Sequence, residues 1–324
     1  MRILVTGGAG FIGSNLVEAL LQDDRVSFVR VLDDLSTGHL KNLEDFKERE
    51  DFEFFHGDIR DFSQCLAACS DIDAIAHQAA LGSVPRSIKD PLLSNAVNTD
   101  GTLNIFYAAV KQKIKRVVFA ASSSTYGDSP TLPKVEDQIG KPLSPYAVTK
   151  LVNEIYADVF SKTYDFEFIG LRYFNVFGPK QDPNGAYAAV IPLFFKAAIE
   201  KTAPTIHGDG EQSRDFTFVA NAVQANIRAL FTDNEDAVNQ VYNIAVGERI
   251  TINELYRLIQ EIASSDVPAN HTASRIGDVK HSLANISKAK SLMGYDPLFK
   301  VKKALEISYQ WYEAQMQKDK LQVK

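Results

Sequence analysis

Seven residues near the N-terminus, Gly7-Gly8-Ala9-Gly10-Phe11-Ile12-Gly13, restrict the folds open to this chain more than any other stretch. They stand between a short apolar run, Arg2–Thr6, and apolar residues at helical spacing: Phe11, Leu16, Val17, Leu20 and Leu21. A strand, a glycine-rich turn and a helix in that order bring backbone against an anion. Gly7 permits the tight turn, Gly10 lets the backbone approach a pyrophosphate, and Gly13 lets the helix pack on the strand. The helix N-terminus adds unpaired N–H groups and a partial positive charge.

Strand and helix patterns go on alternating. β runs are expected at Phe28–Leu32, Phe52–His56, Asp73–His77, Arg116–Ala121 and Phe166–Tyr173, and helices at Phe62–Cys69, Leu92–Lys113 and Pro145–Tyr164. Apolar strands alternating with amphipathic helices predict an α/β fold, a Rossmann-type doubly wound parallel sheet covered on both faces. After Asn175 the alternation loosens. Turn-forming clusters (Gly178-Pro179, Asp182-Pro183-Asn184-Gly185, His207-Gly208-Asp209-Gly210) separate shorter elements there. Helical spacing returns at Ala222–Phe231, Ile252–Ala263, Lys288–Met293 and Lys303–Trp311. The expected organisation is a nucleotide-binding domain over residues 1–174, with residues 215–245 folding back onto it, and a smaller C-terminal α/β substrate lobe made mainly of 175–324.

Composition narrows the partners. With 45% apolar and 23% charged residues, the 324-residue chain has the balance of an ordinary globular protein, which excludes wholesale disorder. Its net charge is −6 and its cations form no dense run outside the short tail, so neither nucleic acid nor a membrane surface is an expected partner. No apolar run approaches the ~20 residues that cross a bilayer. The folded pattern begins at once, which predicts no signal peptide. Cys65 and Cys69, four apart on an expected helix, read as small apolar side chains in a reducing cytosol. The six histidines are scattered singly, and no metal site is expected.

An acid follows the second strand. Asp33, twenty residues after Gly13, can accept hydrogen bonds from an adenosine ribose diol and would repel a 2′-phosphate, which favours NAD over NADP. Asp34 competes for that role. Asp58, after the third strand, reads equally as an adenine contact or as a turn or helix cap.

A second set of residues carries chemistry. Tyr146 and Lys150 lie four apart in Ser144-Pro145-Tyr146-Ala147-Val148-Thr149-Lys150, sharing one helix face. An ammonium beside a phenol favours the phenolate, lowering its pKa toward a value at which it serves as base and acid. Ser122-Ser123-Ser124 follows the fifth strand at the edge where open parallel sheets bind ligands, and a hydroxyl there can share hydrogen bonds with Tyr146 and a substrate hydroxyl.

These motifs, with His77-Gln78-Ala79-Ala80 and Arg172-Tyr173-Phe174-Asn175-Val176-Phe177-Gly178-Pro179, give the chain its resemblance to the extended short-chain dehydrogenase/reductases, specifically the nucleotide-sugar epimerases. The chain resembles in particular the bacterial UDP-N-acetylglucosamine 4-epimerase group, whose patterns match His77–Ser87, Gly140–Lys150 and Gln181–Ile191. The resemblance implies NAD that stays bound, with contacts from Gly7, Gly10, Phe11, Ile12, Gly13, Asp33, Asp58, Ile59, Gln78, Ala79, Ala80, Asn98, Tyr146, Lys150, Tyr173 and Val176. It implies Tyr146 as the base on the sugar 4-hydroxyl, Lys150 on the nicotinamide ribose, and Ser122 as the partner hydroxyl, with Ser123 and Ser124 on the sugar.

It further implies a UDP-hexose or UDP-N-acetylhexosamine substrate. The diphosphate and ribose would meet Arg214, Arg275 and Asp278, while Asn175, Ala189, Val190 and His207 surround the sugar phosphate and uracil. Ser83 and Arg86 would edge the hexose, and Ser282 would leave room for an N-acetyl group where a bulky tyrosine stands in members restricted to the plain hexoses. Reversible C4 epimerisation, a cytoplasmic homodimer associating through the helices Leu92–Lys113 and Pro145–Tyr164, and a place in polysaccharide biosynthesis complete the expectation. A UDP-uronic acid 4-epimerase or decarboxylase, with a cation such as Arg86 near the carboxylate, and a non-catalytic NAD sensor are the alternatives.

Overall fold

The computed structural model describes residues 1–185, 188–273 and 280–322, the last four of these by their backbone alone. From the N-terminus the elements run β1 (Arg2–Thr6), α1 (Phe11–Leu20), β2 (Phe28–Asp33), β3 (Phe52–His56), α2 (Phe62–Ala68) and β4 (Ala74–His77). The short helices α3 (Val84–Lys89) and α4 (Pro91–Asn95) lead into a π-helical turn, Ala96–Asp100, and α5 (Gly101–Lys111). Next come β5 (Arg116–Ser122), α6 (Pro145–Thr163), β6 (Glu167–Tyr173) and the two-residue β7 (Val176–Phe177). The remainder comprises α7 (Val190–Glu200), β8 (Thr205–His207), β9 (Ser213–Arg214), β10 (Thr217–Phe218), α8 (Val219–Phe231), β11 (Gln240–Ile244), β12 (Ile250–Thr251), α9 (Ile252–Ala263), β13 (Asn270–Thr272), α10 (Ser287–Met293) and α11 (Val301–Gln322).

Seven strands form one sheet in the order β11-β6-β5-β4-β1-β2-β3, with every neighbouring pair parallel. Period-two side-chain alternation divides the core between its faces. Ile3, Val5, Val29 and Val31 pack with Leu16, Leu20 and Ala222 on one side, and Leu4, Ile75 and Val117 pack with Phe106 and Phe160 on the other. Phe106 and Phe119 are fully buried, and burying each contributes about 1.5–3 kcal/mol.

Register places the site. Thr6 pairs with Leu32 and His77, and Ser122 pairs with Tyr173. The residues that follow β1, β2, β4, β5 and β6 therefore emerge along one carboxyl edge, where parallel sheets hold ligands.

Three segments differ from the sequence expectation. The single helix expected over Leu92–Lys113 is broken: Asp90 caps a start at Pro91 by accepting from Leu93 N–H at 3.0 Å, the π-helical turn interrupts the middle, and Lys113 leaves the helix with φ +60°. The helix expected over Lys303–Trp311 extends over Val301–Gln322. The sequence expectation did not include helix α7, which opens on the apolar run Val190-Ile191-Pro192-Leu193-Phe194-Phe195. Cys65 and Cys69 are buried, and burial pushes both thiols up to about 12. No helix among the described residues is long and apolar enough to cross a membrane.

Candidate active site

The glycine turn is closed by its own backbone. Gly7 takes φ +68°, and its carbonyl accepts the Gly10 N–H at 3.1 Å. A Cβ on Gly13 would lie 2.1 Å from the Gly7 carbonyl oxygen, so any side chain there separates helix from strand. Gly10 caps α1 without a side-chain hydrogen bond, leaving the first N–H groups of the helix to an anion. Asp33 ties the second strand to this turn: one carboxylate oxygen accepts Ala9 N–H at 2.9 Å and the other accepts Leu35 N–H at 2.8 Å. Burial raises its pKa against these bonds.

A cleft of about 620 Å³ runs along the edge from this turn to Tyr146 and Lys150. Its walls include Gly7, Gly10, Phe11, Ile12, Gly13, Asp33, Ile59, Gln78, Ala79, Ala80, Ser83, Ser122, Ser123, Tyr173, Asn175 and Val176. The donor set suits NAD: a glycine cradle and bare helix N-terminus face the position of a pyrophosphate, and a carboxylate faces that of a ribose. Lys150 is the one cation among the described lining residues, so nothing on these walls beside Asp33 pairs with a 2′-phosphate. Tyr173, Gln78 and Asn226 brace one wall: the tyrosine hydroxyl donates to Gln78 Oε1 at 3.1 Å, and Asn226 Nδ2 donates to that hydroxyl at 2.7 Å.

Helix α6 presents the reactive pair. Ser144 Oγ caps it by accepting Ala147 N–H at 3.2 Å, and Pro145 occupies its first turn. Lys150 Nζ donates to the Ala120 carbonyl at 2.8 Å and lies 6.0 Å from the Tyr146 ring centre. Burial pulls the lysine down to about 8, opposed by the Glu154 carboxylate. The tyrosine departs from expectation. Burial raises its phenol, and the influence that lowers it is the Ser122 hydroxyl rather than the lysine. Ser122 also accepts from Ser124 Oγ at 2.8 Å, and Ser124 does not line the cleft.

Two expected cofactor contacts stand elsewhere. Asn98, at the centre of the π-helical turn, accepts Leu81 N–H at 2.7 Å and donates to the Leu81 carbonyl and Thr149 Oγ1, so its side chain holds a loop and faces no cleft. Asp58 is engaged by Arg60, which keeps its carboxyl below the usual range. The neighbouring Ile59, not Asp58, lines the wall.

A second cavity of about 360 Å³ adjoins the first through Asn175, a wall residue of both. Val190, His207 and Arg214 line it together with Phe194, Gln212 and Phe216. Ala189 forms the N-cap of α7 beside Val190. Ser83 lines the first cleft with φ +106°, and its hydroxyl caps α3 by accepting Arg86 N–H at 3.3 Å. Arg86 lines neither cavity. Ser282 donates its N–H to the Ser213 carbonyl at 3.0 Å, next to Arg214, and its side chain lines neither cavity. Arg275 and Asp278 lie outside the described residues.

Sequence reasoning overlooked several residues. Ser36 and Thr37 line the cleft after Asp34, and the polar turn they form behind the second strand was a usable signal. Ser87 Oγ accepts the Tyr146 N–H at 3.0 Å, a contact no local pattern announces. Fully buried Asp215 accepts three N–H groups, from Val246, Gly247 and Ala284. Desolvation pushes it up to about 7.

The model of the NAD dependent epimerase/dehydratase family matches residues 3–245. The chain belongs to that family. Its cofactor is accordingly NAD, and its parallel sheet is the one found in solved epimerases. A UDP-glucose 4-epimerase of Mycolicibacterium smegmatis is 37% identical over 300 residues, 92% of this chain and 94% of that one. The solved UDP-N-acetylglucosamine 4-epimerase of Methanobrevibacter ruminantium, in complex with UDP-N-acetylmuramic acid, superposes with a TM-score of 0.91 at 40% identity, covering 97% of this chain and 99% of that one. The UDP-glucuronic acid 4-epimerase of Bacillus cereus, solved with UDP-glucuronic acid and NAD, gives 0.89 at 32% identity, covering 97% and 100%.

Proposed function

We propose that this enzyme is a UDP-sugar 4-epimerase that interconverts UDP-N-acetylglucosamine and UDP-N-acetylgalactosamine, with the plain UDP-hexoses as further substrates. The observation that carries the reading is the meeting of Ser122, Tyr146 and Lys150 in the cleft that the glycine turn opens, joined through Asn175 to a cavity carrying Arg214. NAD held along this cleft by the glycine turn, Asp33 and Lys150 would supply a reversible hydride acceptor for the sugar C4.

The protein's own groups do the rest. Tyr146 removes the proton of the 4-hydroxyl and later restores it; because the hydride is returned to C4 as well, no net oxidation occurs. Ser122 shares that hydrogen bond and favours the phenolate. Arg214 meets the diphosphate, for which a guanidinium fork is suited. Arg275 and Asp278 are assigned to diphosphate and ribose by the resemblance alone. Asp33 accepts from the adenosine ribose, with Asp34 beside it.

Kinship with the Methanobrevibacter enzyme at 40% identity favours the N-acetylated sugars. The uronic-acid reading has the Bacillus relative in its favour, but Arg86, the cation it invokes, does not line the cleft. Exposed Val148, Ile155 and Val159 on α6, with Leu92 on α4, support association of two copies, which light scattering measures. The deciding experiment incubates the purified protein, without added NAD, with UDP-glucose, UDP-galactose, both N-acetylated forms and UDP-glucuronate. Conversion of the N-acetylated pair supports the proposal. Conversion of the uronate alone, or dependence on added NAD with none retained, overturns it.

A further inference from the structure

The turn of α6 that follows Lys150 carries Glu154, 8% exposed at its side chain, against Arg172 of β6, 4% exposed. The contact is bidentate: Arg172 Nε donates at 2.9 Å and its terminal nitrogen at 2.7 Å, one to each carboxylate oxygen. The third nitrogen donates to the Glu136 carbonyl at 2.9 Å, and the guanidinium lies 4.9 Å over the Tyr126 ring. Tyr126 in turn donates to Asn243 Oδ1 at 2.6 Å. A buried ion pair of this kind is a weak stabilising device, since desolvating two charges offsets most of their attraction. Its position suggests another use. Glu154 stands four residues beyond Lys150 on one helix face, and Arg172 pairs with Ala121, the neighbour of Ser122.

We infer that Glu154, locked by Arg172, is a positioning residue that keeps Lys150 an ammonium beside Tyr146. The inference rests on the epimerase reading above. The groups facing Lys150 are Tyr146 from the preceding turn of α6, the Ala120 carbonyl of β5, His77 of β4 and Glu154, with Arg172 of β6 and Tyr126 behind it. His77 is held neutral by burial. Among the charged groups of this set Glu154 is the one that favours the charged lysine, alongside the Ala120 carbonyl that accepts from its Nζ. Arg172 fixes the direction of the carboxylate by donating to both of its oxygens.

The test is the pH profile of kcat for the holoenzyme with its retained NAD. With Glu154→Gln the lysine loses its proton more easily, so the alkaline limb moves toward acid by about one pH unit, roughly a tenfold loss on that limb. Activity near pH 6, KM and retained NAD stay close to wild type. Glu154→Asp, which keeps the charge, restores the wild-type limb. A loss equal at every pH shows a merely structural brace and overturns the inference. If the single variant does not fold, Glu154→Gln/Arg172→Gln removes both charges together: an acid-shifted limb supports the inference, and a wild-type limb refutes it. An inactive wild-type protein would instead refute the functional reading.

Discussion

The two ends of the site are assembled differently. Around the glycine turn the contacts are mostly backbone to backbone or backbone to Asp33, and they stay close in sequence, with His39 N–H and Asn42 Nδ2 on the Ala9 carbonyl, apart from Ala79 behind Gly7. Around Arg214 the framework consists of two- and three-residue strands paired over long separations: β9 with β12, β8 with β13, and Ser213 with His281. Asp215 gathers three N–H groups from two such segments. A backbone cradle for a common pyrophosphate needs little long-range help. A pocket for a particular nucleotide sugar depends on where distant segments are brought.

The sharpest separation of chemistry from binding is Tyr146→Phe. It should lower kcat by about 10²–10⁴-fold while NAD stays bound, because only proton transfer is removed. Retained activity would remove Tyr146 from its role. Gly13→Ala attacks the nucleotide end, where the added Cβ would meet the Gly7 oxygen at 2.1 Å. The variant should purify without NAD and unfold earlier, as dinucleotide release and thermal melting would show, and full retention would contradict the cradle.

Arg214→Ala addresses the opposite end. It should raise KM for the UDP-sugar by roughly 10–100-fold, the loss of a charge-assisted contact, with NAD content unchanged. An effect on NAD instead would erase the distinction between the two ends. Ser282→Tyr sharpens the same end by size. Competition between substrates should show about a 5–150-fold selective loss on the N-acetylated sugars, the equivalent of 1–3 kcal/mol of overpacking. Equal loss on plain and N-acetylated sugars would dispose of the gate.

The last effect concerns stability. His77 is fully buried, its ring nitrogens 2.6 Å from Thr6 Oγ1 and 2.9 Å from Thr102 Oγ1, and burial pulls it from 6.5 down to about 3. The unfolded chain takes up the proton first, so the stability His77 allows is present above pH 6.5 and falls as pH drops toward 3, by at most about 1.4 kcal/mol per pH unit. His77→Asn should flatten that slope in chemical denaturation. An unchanged slope would assign it to the carboxylates.

Much of this was legible locally. The strands Arg2–Thr6 and Phe52–His56, the helix Ile252–Ala263 and the Gly7–Gly13 turn follow from period, glycine spacing and chain order. The Tyr146–Lys150 face follows from helix geometry, and Pro145 marked where that helix starts. The broken helix around Asn98 was not legible, because the π-helical turn is held by Leu81 and Thr149 from other segments. Nor was the destination of the Lys150 ammonium, which the Ala120 carbonyl settles. Arg172 within the strand pattern Phe166–Tyr173 gave no hint of Glu154, since the pair forms only when α6 lies across β6.

By itself, then, the order of residues determined the alternating layers, the phosphate turn and the presence of a phenol and an amine on one helix face, all properties of short range and fixed backbone period. The tertiary structure alone decided which hydroxyl adjoins that phenol, which carbonyl holds the amine, and which carboxylates lie buried against a guanidinium or a row of N–H groups. Those outcomes depend on desolvation and on contacts between segments far apart in the chain, and neither is written in local spacing.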